Sequence, residues 1–206
     1  MTRRLITSIA VLLLGLSASG QNIVTDFVRT LDGKCACFDY SYSFSGQVPV
    51  SGNGSIQLQG DSFTMKGDGL EIYCDGVNRW TVDTEAEECY IEGVDTESLD
   101  IEANPALLVG AVDKAFKFQK VKSATFNGKS VSEAVLSPSP KGGNINEVSL
   151  FLTSAKVPAG AILTLEDGTL ITITIKNFNL AAPVTADTFT LNTKKLSKNF
   201  IITDLR

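Results

Sequence analysis

Histidine is absent from all 206 positions. That removes Ser–His and Cys–His nucleophilic pairs, imidazole metal ligands and any imidazole proton shuttle. An enzyme built on this chain would have to work with carboxylates, lysine, tyrosine or thiols. Phosphate-cradling loops are missing as well. "KGDGLEI" carries the first two glycines of G-x-G-x-x-G, but Ile72 stands where the third belongs. That stretch also joins two strand-like segments, not a strand to a helix. No Walker sequence, nucleophile elbow or HExxH occurs. Carboxylates are plentiful, yet most fall in turns or on polar strand faces. A glycosidase, which needs two of them facing one cleft, finds no positive support. The expectation is a protein that is not an enzyme, with no catalytic residue, metal or cofactor.

Basic residues are in deficit, 18 against 23 acidic ones, for a formal net charge of −5. Without Arg3 and Arg4 the balance is 16 against 23, or −7. This argues against nucleic acid and against docking on anionic lipid. Long apolar runs are limited to one, Leu5–Leu16, behind Arg3 and Arg4 and ahead of the small-residue stretch Ala18-Ser19-Gly20. It is too short to span about 30 Å of hydrocarbon. It reads as a secretory signal peptide over residues 1–20, cleaved near Gly20–Gln21, the alternative being a membrane anchor. One domain over residues 21–206 and a periplasmic address follow as expectations, and a monomer is expected.

Cysteine is sparse: Cys35, Cys37, Cys74 and Cys89. In an exported chain four cysteines favour disulfides. Three pairings are open, and Cys35 and Cys37 share one face of a strand. A zinc site made of all four cysteines is the sharper alternative, but a C-x-C pair followed by two cysteines with fourteen residues between them matches no common zinc ribbon.

What the chain does have is alternation. "CACFDYSYSFSG" sets Phe38, Tyr40, Tyr42 and Phe44 on one side of a strand. Ile56 and Leu58, then Phe63 and Met65, then Leu70, Ile72 and Cys74, then Trp80 and Val82 repeat the pattern. "QGDS", "KGDG", "CDGV" and "DTEAEE" are the joints. "SVSEAVLSP", "NEVSLFL", "AILTLE", "LITITIKNF" and "DTFTLN" follow, with a hairpin signal at Glu166–Thr169. About ten strands are expected, all antiparallel from their short connections. Asp83–Ala103 carries nine acidic residues and no basic ones. It reads as a solvated turn, strand edge and lid rim, with a docking surface for a basic partner as the alternative. A helix is expected from about Pro105 to Lys114, capped by Asn104 and apolar through Leu107, Leu108, Val109, Ala111 and Val112. Another is expected over roughly Asn22–Leu31. A helix apolar on most sides is normally buried. The architecture predicted is mainly β: a strongly curved antiparallel sheet forming an unclosed half-barrel, with short helices as a lid over the concave face. That face encloses either a filled core or a ligand cavity.

The order of these features resembles the LolA-like family of periplasmic lipoprotein carriers. The family shows "DGKT.W.Y" where this chain has Asp75-Gly76-Val77-Asn78-Arg79-Trp80-Thr81-Val82, an "NP"-initiated apolar helix at Asn104–Val112, and "VLTPK" at Val135–Ser139. The resemblance implies an unclosed β-barrel with a helical lid that shelters lipoprotein acyl chains. It implies cargo received from an inner-membrane ABC transporter and passed to an outer-membrane acceptor. A sensor domain of the same fold, recognising a protein partner, is the alternative. By resemblance and alternation together, the cavity is expected to be lined by Phe38, Tyr40, Tyr42, Ile56, Leu58, Phe63, Met65, Leu70, Ile72, Trp80 and Val82. Leu107, Leu108, Val109 and Val112 are expected in the lid. One departure stands out: the family's lid-locking Arg has no counterpart in Gln57–Asp61.

Overall fold

The computed structural model describes residues 18–46, 50–94, 109–110, 112–139 and 144–206. Helix α1 (Ala18–Leu31) leads into β1 (Cys35–Ser45), β2 (Ser51–Gln59), β3 (Ser62–Gly67), β4 (Leu70–Cys74), β5 (Asn78–Asp83) and β6 (Glu88–Gly93). A short helix α2 (Val112–Ala115) precedes β7 (Phe116–Phe126), β8 (Lys129–Pro138), β9 (Ile145–Leu152), β10 (Pro158–Leu165) and β11 (Leu170–Ala181). The last strand is β12 (Ile201–Asp204). All twelve form one sheet in the order β12-β6-β5-β4-β3-β2-β1-β11-β10-β9-β8-β7. Its two ends do not meet, so the sheet is an open half-barrel.

Turn chemistry places the hairpins. Asp68 and Gly69 both have positive φ, 52° and 79°, between the paired Gly67 and Leu70. This is the two-residue turn whose twist matches antiparallel strands. Asn127 and Gly128, at 49° and 74°, do the same between β7 and β8. At Glu166–Thr169 the Leu165 N–H donates to the Thr169 carbonyl at 2.9 Å, closing the expected hairpin.

Three strands go beyond the expected set. β6 lies inside the acidic stretch, β7 follows α2, and β12 ends the sheet. "DTFTLN" is not a strand: Ala186–Phe189 and Thr193–Lys195 are short 3-10 turns. Nor is every pair antiparallel, since β12 runs parallel to β6. The reason lies in the connection. Residues 182–200 cross the outer face of the sheet as a strap, and a long crossover of this kind can deliver a strand in either direction. Gln59 anchors the strap by donating to the Val184 carbonyl at 3.2 Å and accepting its N–H at 2.8 Å. Phe189, 1% exposed, is buried where the strap meets β3.

Register assigns the faces. Directly paired residues share a face, and Ala36↔Leu58↔Phe63↔Cys74 is one such row. Phe38↔Ile56↔Met65↔Ile72 is the next. On the other flank of β1, Phe44↔Ile171↔Leu163↔Val148↔Leu136 continues the same face. Val24 and Phe27 of α1, with Val109, Val112 and Ala115 at α2, pack into this surface and form the main core.

Between β1 and β2 the inner face has an unusual detail. Tyr40 sits opposite Gly54, and Tyr42 opposite Gly52. "GNG" is therefore strand interior, not a loop, and the tyrosines lie over the missing side chains. A Cβ on Gly54 would come within 2.3 Å of the Lys66 carbonyl oxygen and 2.7 Å of the Tyr40 hydroxyl. Gly54→Ala should cost about 1–3 kcal/mol, the usual penalty for overpacking. Urea denaturation measures it; a neutral result would show that β2 and β3 can separate there freely.

Candidate functional site

The candidate site is the inner face of the half-barrel beneath α1 and α2. Phe38, Ile56, Leu58, Phe63 and Ile72 are buried in the core there. Tyr40 and Met65 pack against it half-buried. Tyr42 stacks on Tyr40 at 6.3 Å and meets Phe44 edge-on at 5.8 Å. Its hydroxyl donates to Asp68 at 3.1 Å, where β3 turns into β4. Leu70 is on the same face but at the strand end, 37% exposed. Val109 and Val112 are buried in the same core, while Leu107 and Leu108 lie outside the described residues.

Trp80 and Val82 do not belong to this face. The β4–β5 turn pairs Tyr73 with Trp80 and Cys74 with Arg79. Asp75 fixes that turn by accepting from the Val77 and Asn78 N–H groups at 2.9 and 2.7 Å. Odd-numbered residues of β4 therefore oppose even-numbered residues of β5. Ile72 and Cys74 share a face with Thr81 and Arg79, and Trp80 turns outward. There Trp80, Val82, Cys89 and Ile91 form a second core beneath Leu191, Leu196 and Phe200 of the strap. The alternation is real, but the side it faces depends on turn length.

The cysteines are also redistributed. All four are unpaired thiols. Cys74 sits in the main core and Cys89 in the outer one, so these two lie on opposite faces of the sheet. Burial pushes the Cys74 thiol up from its ordinary value, so it stays protonated as a small apolar side chain. Burial, with Asp68 and Tyr42 nearby, likewise pushes the Tyr40 hydroxyl up to about 12. Neither group is poised for chemistry at neutral pH.

Residues that alternation could have nominated complete the surface. Leu150 and Leu152 of β9, with Leu136 and Leu163, are each 2% exposed or less. The strands holding them are expected from the sequence, but their inward side chains are not among the residues assigned to the cavity. From α1, Phe27 is 0% exposed and lies 6.3 Å from Phe178, which stacks on Phe38 at 6.0 Å. At the C-terminal end of α1 a cavity of about 100 Å³ opens between Leu31, Lys34, Ala36, Leu58, Gln59 and Gly110. Ligand sites run from roughly 300 Å³, so this opening is too small to hold a ligand unless the roof moves.

The ion pairs of the roof lie at the surface. Asp26 of α1 pairs with Lys156 in the β9–β10 turn at 2.5 Å, and with Arg29 at 3.7 Å. The Lys156 hydrogen bond holds the Asp26 carboxyl below its ordinary value. A lowered folded-state pKa contributes stability above the unfolded value and loses it as pH falls through the folded one. Asp26→Asn should melt below the parent at neutral pH, and the gap should close in acid. Calorimetry across that range checks it; a gap independent of pH would place the effect elsewhere. Exposed pairs of this kind contribute little, so releasing α1 is not costly on their account.

No family model matches the chain, and no curated protein matches it. Solved structures do. An uncharacterised conserved protein from Thermus thermophilus superposes with a TM-score of 0.57 at 10% identity, covering 90% of this chain and 99% of that one. A LolA superfamily protein from Nitrosomonas europaea gives 0.50 at 9% identity, covering 84% and 98%. An outer membrane lipoprotein-sorting protein domain, described as putative, from Vibrio parahaemolyticus gives 0.50 at 11%, covering 87% and 98%. With its unclosed sheet, apolar inner face and helical roof, this chain has a LolA-like fold.

Proposed function

We propose that this protein is an exported carrier that shelters acyl chains of lipoproteins, or a related lipidic ligand, against the inner face of its sheet. The observation that carries the reading is the continuous apolar surface from β1 to β4 and from β8 to β11, roofed by α1 and α2 instead of a second sheet. Such binding needs no polar anchor, because each CH2 hidden from water contributes about 0.8 kcal/mol. It is also reversible by design: an acceptor with a better apolar site takes the chain. The periplasm is the compartment in which such a carrier would act. Donor and acceptor would be an inner-membrane ABC transporter and an outer-membrane protein, as the LolA resemblance implies.

The test uses delipidated protein mixed with a triacylated lipoprotein in detergent. After detergent removal, a soluble complex should elute ahead of the free protein. If the lipoprotein precipitates as it does alone, the carrier reading is wrong.

A further inference from the structure

Cys35 and Cys37, like Cys89, lie outside the inner face that the lipid-carrier reading uses. They flank Ala36 at the start of β1. Ala36 points into the main core, so its two neighbours point to the outer face. Gln57, paired with Cys37 across the β1–β2 ladder, donates its side-chain amide to the Cys35 sulfur at 3.4 Å. Burial first, and then the neighbouring Cys35 thiol, push the Cys37 thiol above its ordinary value. Two residues along a strand separate their Cα atoms by roughly 6.6 Å, inside the span of about 4.4–6.8 Å that a disulfide bridges. Register excludes the other partners. Cys74 is three strands from β1, roughly 14 Å, and on the opposite face. Cys89 is five strands away, roughly 24 Å.

Cys35 is the first residue of β1, and the β1–β11 ladder slips by a residue between Cys37 and Asp39, with the extra residue on β11. That bulge lets β11 bend beside Cys37, while β1 stays regularly paired to β2. Cys35 is fully buried and Cys37 is partly open, so a reagent meets Cys37 first.

We propose that Cys35 and Cys37 form a redox pair that exchanges with small-molecule disulfides, and that no other two cysteines of this chain do. The Cys37 thiolate attacks one sulfur of the disulfide. The S–S bond breaks, one thiolate leaves, and a mixed disulfide remains on Cys37. Cys35 gives up its proton and attacks the Cys37 sulfur, expelling the second thiolate. Two cysteine thiols have then lost two electrons and two protons, and the small disulfide has become two thiols. The ring so closed spans a single residue, which strains it and makes it a readily reduced bond.

The full chain is equilibrated in buffers of oxidised and reduced glutathione, quenched in acid, alkylated and digested with trypsin. Cleavage after Lys34 and Lys66 puts both thiols in one peptide. In the oxidising buffers that peptide should escape alkylation and weigh two hydrogens less than its thiol form. In the reducing buffers both cysteines should be alkylated. Cys74 and Cys89 should remain thiols throughout until the protein is unfolded. Cys37→Ser should abolish the two-hydrogen loss, and Ala36→Gly, which keeps both thiols, should retain it. A peptide that stays fully alkylatable in glutathione disulfide overturns the proposal, as does a crosslink to the peptide holding Cys74 or Cys89. Because the readout is mass, it is independent of whether the chain binds lipid.

Discussion

Replacing Phe27 by Ala is expected to destabilise the protein by about 3–5 kcal/mol, the range for truncating a fully buried aromatic ring. Phe27 has no exposed surface and joins α1 to the sheet through Phe178 and Phe38. Losing the ring removes its transfer free energy and leaves a void between roof and inner face. The functional consequence has the opposite sign. A void in this position enlarges the space under α1, and a loosened roof lowers the cost of admitting a chain. A fluorescent fatty acid should bind Phe27→Ala more tightly than the parent, although the variant unfolds at lower urea. If stability falls by less than about 1 kcal/mol, α1 is not docked as described. If stability falls as expected but probe affinity falls with it, Phe27 belongs to the binding wall and not to the cover.

Trp80→Ala provides the contrast. Trp80 is 7% exposed and closes the outer core with Val82, Cys89 and Ile91 under the strap. The expected loss is again about 3–5 kcal/mol, but fatty-acid affinity, measured under folding conditions, should not move. The two aromatics thus separate the two faces: one substitution changes stability and binding, the other stability alone. The parent protein supplies a second readout from its single Trp. Ligand held on the inner face should leave Trp80 emission where it is, whereas deleting residues 190–206 should shift it to the red by exposing the ring. A large emission change on ligand binding, with the strap intact, would place the ligand on the outer face or show that the sheet itself reshapes.

How far the chain can be read depends on whether a signal is local. Period-two alternation identifies nine of the strands, and "KGDG" and "EDGT" mark turns that the structure contains. β7 is legible in principle: Asn127-Gly128 is the strongest short hairpin signal in the handedness-matched class. It escapes a reading by alternation because the lysine-rich stretch "FKFQKVKSATF" dilutes the pattern, as lysines commonly do on a sheet edge. β6 is hidden by its acidic residues, since only Cys89 and Ile91 face a core. "DTFTLN" has the composition of a strand, but its apolar residues Phe189 and Leu191 are used to cover the sheet, not to extend it.

By itself, the sequence determined that this is a β-rich chain without imidazole chemistry, with one dominant apolar face through β1 to β4 and a turn at Asp75–Asn78. These are local properties: composition, a side-chain period of two, and the few residues that tolerate turn backbone. Only the tertiary structure decided which way Trp80 points, which cysteines can meet, and where the last residues go. Each depends on register or on a contact between residues far apart in the chain. The Asp75 turn pairs Tyr73 with Trp80 and so sends the Trp outward, and the outward position is apolar only because the strap, more than a hundred residues later, arrives to cover it. Alternation specifies that two faces differ; it takes the paired strand and the covering segment to say which of them is inside.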